Sequence, residues 1–126
     1  MADETHQFCK IFVQAAEPQA IAERLATLLG AQLQRRTLDI PEAVVEVRKN
    51  PDTGMTDDFL GWPVVVEIDA GSDTANEAIV SVTARIVTSC WHTGTPVVAA
   101  CDYESELPWC GGIGRLKQPG GEDDGT

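Results

Sequence analysis

Positive charge is what this sequence has least of: nine Lys and Arg stand against twenty Asp and Glu, a net charge of −11 over 126 residues. Phosphate backbones and anionic lipid are recognised by clustered cations that displace counterions, so no direct binding to nucleic acid or to a membrane surface is expected. No stretch reaches the ~18 apolar residues of a membrane span. Close ligand pairs such as Cys-x-x-Cys are missing as well: Cys90, His92, Cys101 and Cys110 are the only metal-ligating types in the second half that approach a set, and only Cys90-Trp91-His92 comes near the spacing. Asp102-Tyr103-Glu104-Ser105-Glu106 lacks the glycine and closing glutamate of a calcium loop. Gly111-Gly112-Ile113-Gly114 is not followed by a helix pattern, which removes the context a phosphate cradle needs. No cofactor and no metal are expected.

What remains is an ordinary soluble composition, 43% hydrophobic and 23% charged, in a chain of single-domain length. Residues 1–6 are polar and expected to be loose, residues 7–116 form the predicted α/β domain, and the Gly- and acid-rich stretch 117–126 has nothing to bury and is expected to be disordered. The start, Met-Ala-Asp-Glu-Thr, is acidic and unlike a secretory leader, and Cys9, Cys90 and Cys101 sit inside apolar patterns. A cytoplasmic setting with unpaired thiols is therefore the expectation.

Phe8 to Val13 is an apolar, β-branched and aromatic run that predicts a strand. Glu17-Pro18 opens a helical pattern with Ile21, Leu25, Leu28 and Leu29 on one face and Gly30 as its stop. Period-two alternation then predicts two strand segments, Leu33 to Ile40 and Ala43 to Arg48, separated at Pro41. Asn50-Pro51-Asp52-Thr53-Gly54 starts a long loop whose Phe59, Leu60 and Trp62 are too apolar for simple solvation; they either fold back as a lid or form an exposed contact surface. Pro63 to Asp69 predicts the clearest strand. Ser72, Asp73 or Thr74 would cap a second helix that buries Ala75, Ile79, Val82, Ile86 and Cys90 and runs to Trp91; Val97 to Cys101 predicts a last strand. The fold expected is α+β, a two-layer sandwich of one mixed sheet of four or five strands with two helices on one face, ferredoxin-like (split βαβ) or a variant. The pleat would leave Lys10, Phe12, Gln14, Val65, Glu67 and Asp69 on the uncovered face, with Glu46 and Arg48 beside them.

The charge is not spread evenly. Between Asp57 and Glu106 there are nine acids and a single base, Arg85, whereas Arg35, Arg36, Arg48 and Lys49 gather in the first half. Such a dipolar domain is steered onto a basic protein by long-range attraction. A contact surface of Asp57, Asp58, Asp102, Glu104 and Glu106 for steering, with Phe59, Trp62 and Trp109 as desolvated anchors, is the expectation. The rival is a small enzyme with a carboxylate-lined cleft, pairing Glu67 or Asp69 with Asp102, Glu104 or Glu106, or a Cys–His nucleophile built from His92 with Cys101 or Cys110. A third possibility is a homodimer through the open sheet face.

Gly61-Trp62-Pro63 leading to Glu67-Ile68-Asp69, and Cys101-Asp102-Tyr103-Glu104-Ser105-Glu106-Leu107-Pro108 ending the next strand, resemble a group of small uncharacterised bacterial proteins. In size, acidity and architecture the chain is also similar to the immunity proteins of bacterial polymorphic and contact-dependent toxin systems. That resemblance implies inhibition of a toxin, often a basic nuclease, by occlusion of its active site, and so binding rather than catalysis.

Overall fold

The computed structural model describes residues 8–71 and 73–116. The expected loose N-terminus, the expected disordered tail and Ser72 as a helix cap lie outside the described residues. In chain order the elements are β1 (Phe8–Val13), α1 (Pro18–Leu29), β2 (Leu33–Gln34), β3 (Thr37–Asp39), β4 (Ala43–Lys49), β5 (Val64–Ala70), α2 (Asn76–His92), β6 (Val97–Cys101) and the single turn α3 (Ile113–Leu116). Short 3-10 turns occupy Phe59–Gly61, Glu104–Glu106 and Pro108–Gly112.

The strands make one sheet in the order β2-β3-β4-β5-β1-β6, and each neighbouring pair is antiparallel. The expectation of a mixed sheet with four or five strands is thus corrected twice. The strands that flank each helix in the chain are never sheet neighbours, three strands separating β1 from β2 and one separating β5 from β6, so no parallel neighbours arise. The extra strand comes from Arg35, whose φ of 62° turns the chain left-handed and splits 33–40 into the hairpin β2–β3. Nothing in the local sequence announces that turn, because neither glycine nor Asn-Gly marks it.

α1 forms as its pattern dictates. Pro18 fills the first turn, Ile21, Ala22 and Leu25 are buried, and Gly30 ends the helix at φ 65°. α2 buries Ile79, Val82, Ile86, Val87 and Cys90, while Ala75 is exposed and is itself the N-cap with no side-chain hydrogen bond. The capping expectation fails because Thr74 is used elsewhere: its hydroxyl donates to the Glu42 carbonyl at 2.8 Å and ties the β5–α2 loop to the β3–β4 turn. The four-residue α3 follows Gly112 where no helix was expected.

Alternate residues of the strands build two cores. Cys9, Ile11 and Val13, with Val45, Val47, Val64, Val66 and Ile68, face the helices. On the opposite face Phe12, Val65 and Val98 form a smaller cluster under Trp62, with Phe59 and Ile113 packed against it. The loop before β5 is held there by Asn50, buried at 2% exposure, whose Nδ2 donates to the carbonyls of Leu60 at 2.9 Å and Trp62 at 2.7 Å. Of the three apolar loop residues, Phe59 and Trp62 close over one end of the sheet, and Leu60 remains 46% exposed.

After β6 the chain doubles back along that strand's outer edge. Trp91 Nε1 donates to the Val97 carbonyl at 3.1 Å, and the Cys101 N–H donates to the Glu104 carboxylate at 2.9 Å. Gly111 and Gly112 pass so close to Ala99 and Val97 that a methyl at Gly112 would overlap the Val97 carbonyl oxygen.

Candidate functional site

Strand register arranges the uncovered face into three transverse rows. The first is Val98, Phe12, Val65 and Arg48; the second is Ala100, Lys10, Glu67, Glu46 and Thr37; the third is Phe8, Asp69, Val44 and Asp39. In the first row Val98, Phe12 and Val65 are shut beneath Trp62 and Phe59, and Arg48 at its end is exposed. The third is open, alternating two apolar side chains, Phe8 at 49% and Val44 at 43% exposure, with two exposed acids. The middle row sets Glu46 directly opposite Glu67. Like charges in that position destabilise a sheet, and the compensation is partial: Arg48 Nη1 lies 3.7 Å from Glu67 Oε1, while the Lys10 ammonium lies over the Phe12 ring at 5.4 Å.

Register also fixes the poles. Val13 pairs with both Val64 and Val97, so β5 and β6 start at one end of the sheet and finish at the other. The basic residues Arg35, Arg36, Arg48 and Lys49 lie at the starting end, where the hairpin turn, β4's last residues and Arg36 Nε on the Val47 carbonyl come together. Asp39, Asp69 and Asp102 lie at the finishing end. Asp57, Asp58, Phe59 and Trp62 belong to the starting end, before β5; Asp102, Glu104 and Glu106 belong to the finishing end, after β6. Trp109 is in neither group. It packs edge-on to Trp91 at 6.3 Å, on the helix side of the sheet, and the Arg115 guanidinium lies over both rings at 5.1 and 4.9 Å. Trp62, 9% exposed, meets Phe59 edge-on at 6.4 Å.

Two of the expected acids have structural work. Asp58 caps the turn at Phe59–Gly61 by accepting the Leu60 N–H at 3.0 Å, and Glu104 accepts from Cys101. The exposed trio Phe8, Val44 and Asp39 was missed. Alternation in β4 already put Val44 on the polar face, but only the register, which no local pattern encodes, sets it beside Asp69.

The rival sites look different in space. Glu67's registered carboxylate neighbour is Glu46, which lines a depression of about 520 Å³ together with Arg35, Arg36 and Arg48. Among the described residues no group of three or more His, Cys, Asp or Glu side chains could hold a metal ion. A groove of about 530 Å³ runs between α1 and α2, lined by Leu28, Ala84, Arg85, Thr88 and His92 among others. Its arginine is a brace, Arg85 Nη2 donating to the Leu28 carbonyl at 2.8 Å, and so is Arg24 outside it, whose Nη1 donates to Thr95 Oγ1 at 3.0 Å. No helix is long and apolar enough to cross a membrane among the described residues. No protein-family model, curated protein or solved structure matches this chain.

Proposed function

We propose that this is an acidic protein-binding domain whose partner is a basic protein, and in its sharpest form an inhibitor that occludes a basic, nuclease-like toxin as immunity proteins do. The observation that carries the reading is the Glu46–Glu67 pair, two carboxylates opposed on an uncovered sheet face with Asp69 and Asp39 in the next row. Opposed like charges cost a few tenths of a kcal/mol in the free protein, a cost that a Lys- or Arg-bearing partner relieves on docking. The same field raises the encounter rate by ~10 to 1,000-fold at low salt. Phe8 and Val44, exposed between the acids, are the apolar anchors of this surface, and Asp102, Glu104 and Glu106 extend it at the same end of the sheet. Asp58, Phe59, Trp62 and Trp109 also serve the fold, and with the exposed Asp57 they would make contacts separate from this surface. A second copy docked on this face would set acid against acid, which argues against a homodimer there.

The ferredoxin-like reading belongs to the same proposal. With the β2–β3 hairpin set aside, the order β4-β5-β1-β6 with α1 and α2 as crossovers is that of a split βαβ carrying one added hairpin.

The test surveys the genes that flank this chain's own and takes any basic protein they encode as the titrant. Titration calorimetry should give tight, salt-sensitive binding, co-expression should relieve growth arrest, and Glu46→Lys with Asp69→Lys should weaken binding ~100-fold or more. Absence of binding by the wild-type chain, or equal binding by a folded double variant, overturns the proposal. A concentration-dependent dimer in sedimentation, lost in the double variant, replaces it with self-association.

A further inference from the structure

Cys9 and Cys101 are registered opposite each other on β1 and β6, and both face the helix layer. The Cys101 N–H points away from β1, to the Glu104 carboxylate. The two residues are therefore a non-hydrogen-bonded pair, the kind in which antiparallel Cα atoms approach to about 4.5 Å and side chains meet most closely. That separation falls at the short end of the roughly 4.4–6.8 Å that a disulfide bridges. Their side chains leave the paired strands on the same face of the sheet. Cys9 is fully buried, Cys101 is half-buried, and the phenol of Tyr103 closes the pocket from the side, donating to Thr83 Oγ1 at 2.9 Å. One thiol is thus reachable from solvent and the other is held directly behind it.

We propose that Cys9 and Cys101 form a dithiol site that a low-molecular-weight disulfide converts, reversibly, into a cross-strand disulfide between β1 and β6. In the first step the Cys101 thiolate attacks one sulfur of the small disulfide, the Cys101–S–S–R bond forms, and RS⁻ leaves and takes up a proton. In the second step Cys9 gives up its proton, its sulfur attacks Cys101 Sγ, and the second RS⁻ leaves and is protonated. The protein loses two electrons and two protons, and the small disulfide becomes two thiols. The hydrogen bond from Cys9 lowers the acidity constant's exponent at Cys101 and thereby favours the attacking thiolate, whereas the same bond and burial push the Cys9 thiol up. The roles of attacking and resolving thiol follow from access and from this asymmetry alike. Because Cys101 is reachable from solvent, a small thiol can attack the bridge there and run the exchange backwards.

Cys110 is exposed and would take up the reagent by itself, so the experiment uses the full chain carrying Cys110→Ser. The reduced protein is incubated with oxidised glutathione, quenched with acid and read by intact mass and peptide mapping. The expected product has lost two hydrogens, carries no glutathione, joins the Cys9 peptide to the Cys101 peptide, and returns to the dithiol with excess reduced glutathione. Cys9→Ala is expected to stop at one glutathione on Cys101, and Cys101→Ser to remain unmodified at Cys9. A glutathione that persists on Cys101 while Cys9 is present, an unreacted Cys101, or a bridge between two chains overturns the proposal. The wild-type pair's peptide map decides the matter even if Cys9→Ala does not fold.

Discussion

Gly112→Ala is the substitution that tests most directly how the chain after β6 is held. Gly112 sits at φ +108°, where an L side chain is strained by about 1–3 kcal/mol. Its added methyl would overlap the Val97 carbonyl oxygen, which is backbone and cannot swing aside, and would stand 2.9 Å from Trp91 Nε1. The returning segment must lift off the strand, breaking the indole hydrogen bond to Val97 for about 1 kcal/mol and loosening Trp109 and Leu107 for about 1 kcal/mol more. The total is about 3–5 kcal/mol. Gly94→Ala supplies the control: φ is +82° but nothing lies within 4 Å of the new methyl, so only the conformational cost of about 1 kcal/mol remains. Urea unfolding followed by far-UV dichroism reads both. With an m-value of about 1–3 kcal/mol/M, the midpoint should fall by roughly 2 M for Gly112→Ala and roughly 0.5 M for Gly94→Ala. Midpoints within about 0.3 M of each other would refute the steric argument and leave only backbone strain.

Trp62→Ala should cost about 3 kcal/mol, because it uncovers Phe12, Val65 and Val98 together, and Trp109→Ala less, since that ring is only half-buried; urea midpoints in the reverse order would contradict the assignment of the two rings. Burial pushes the Tyr103 phenol up from its ordinary 10.0 and the Cys90 thiol up from 9.0. Both groups keep their protons in the folded state after the unfolded chain has begun to release them, so stability is complete below about pH 9 and declines as pH rises beyond it. Tyr103→Phe should make that alkaline decline shallower above pH 10, at a cost near neutrality of about 1 kcal/mol for the lost bond to Thr83. Urea midpoints measured from pH 8 to 11 check it, and an unchanged alkaline slope would mean that Tyr103 is not a principal source.

Elements with a strong period were legible from the residues alone. Phe8–Val13 and Pro18–Leu29 have the expected bounds, and the buried stripe of α2 is the predicted one save Ala75. So was the division of faces, because Phe12, Val65, Glu67 and Asp69 follow from the pleat once the strands are placed. Hidden were the features that depend on two distant segments meeting. Arg35 adopts a left-handed turn without glycine because the β2–β3 pairing holds it there, and Thr74 abandons its helix for Glu42, far away in sequence. The acids between Asp57 and Glu106 are contiguous in bias along the chain, but an antiparallel strand carries its two ends to opposite poles, so nearness in sequence separated Asp58 from Asp102 instead of joining them. Trp62 and Trp109 bracket the same segment and finish on opposite faces of the sheet, Trp62 over the Phe12 cluster and Trp109 against the helix-side core.

The doubling back of the chain along β6 has a consequence for how these molecules behave when crowded together. An outermost strand with unpaired amides is a template on which a neighbour's strand can add, and long templates seed fibrils. Here the Trp91 indole, the Glu104 carboxylate and the turn at Pro108–Gly112 occupy that template on β6, while the opposite border, β2, offers two residues. Lifting the turn, as Gly112→Ala would, exposes a five-residue run of Val97-Val98-Ala99-Ala100-Cys101 with no charge in it, and makes that border a candidate for amyloid-like growth.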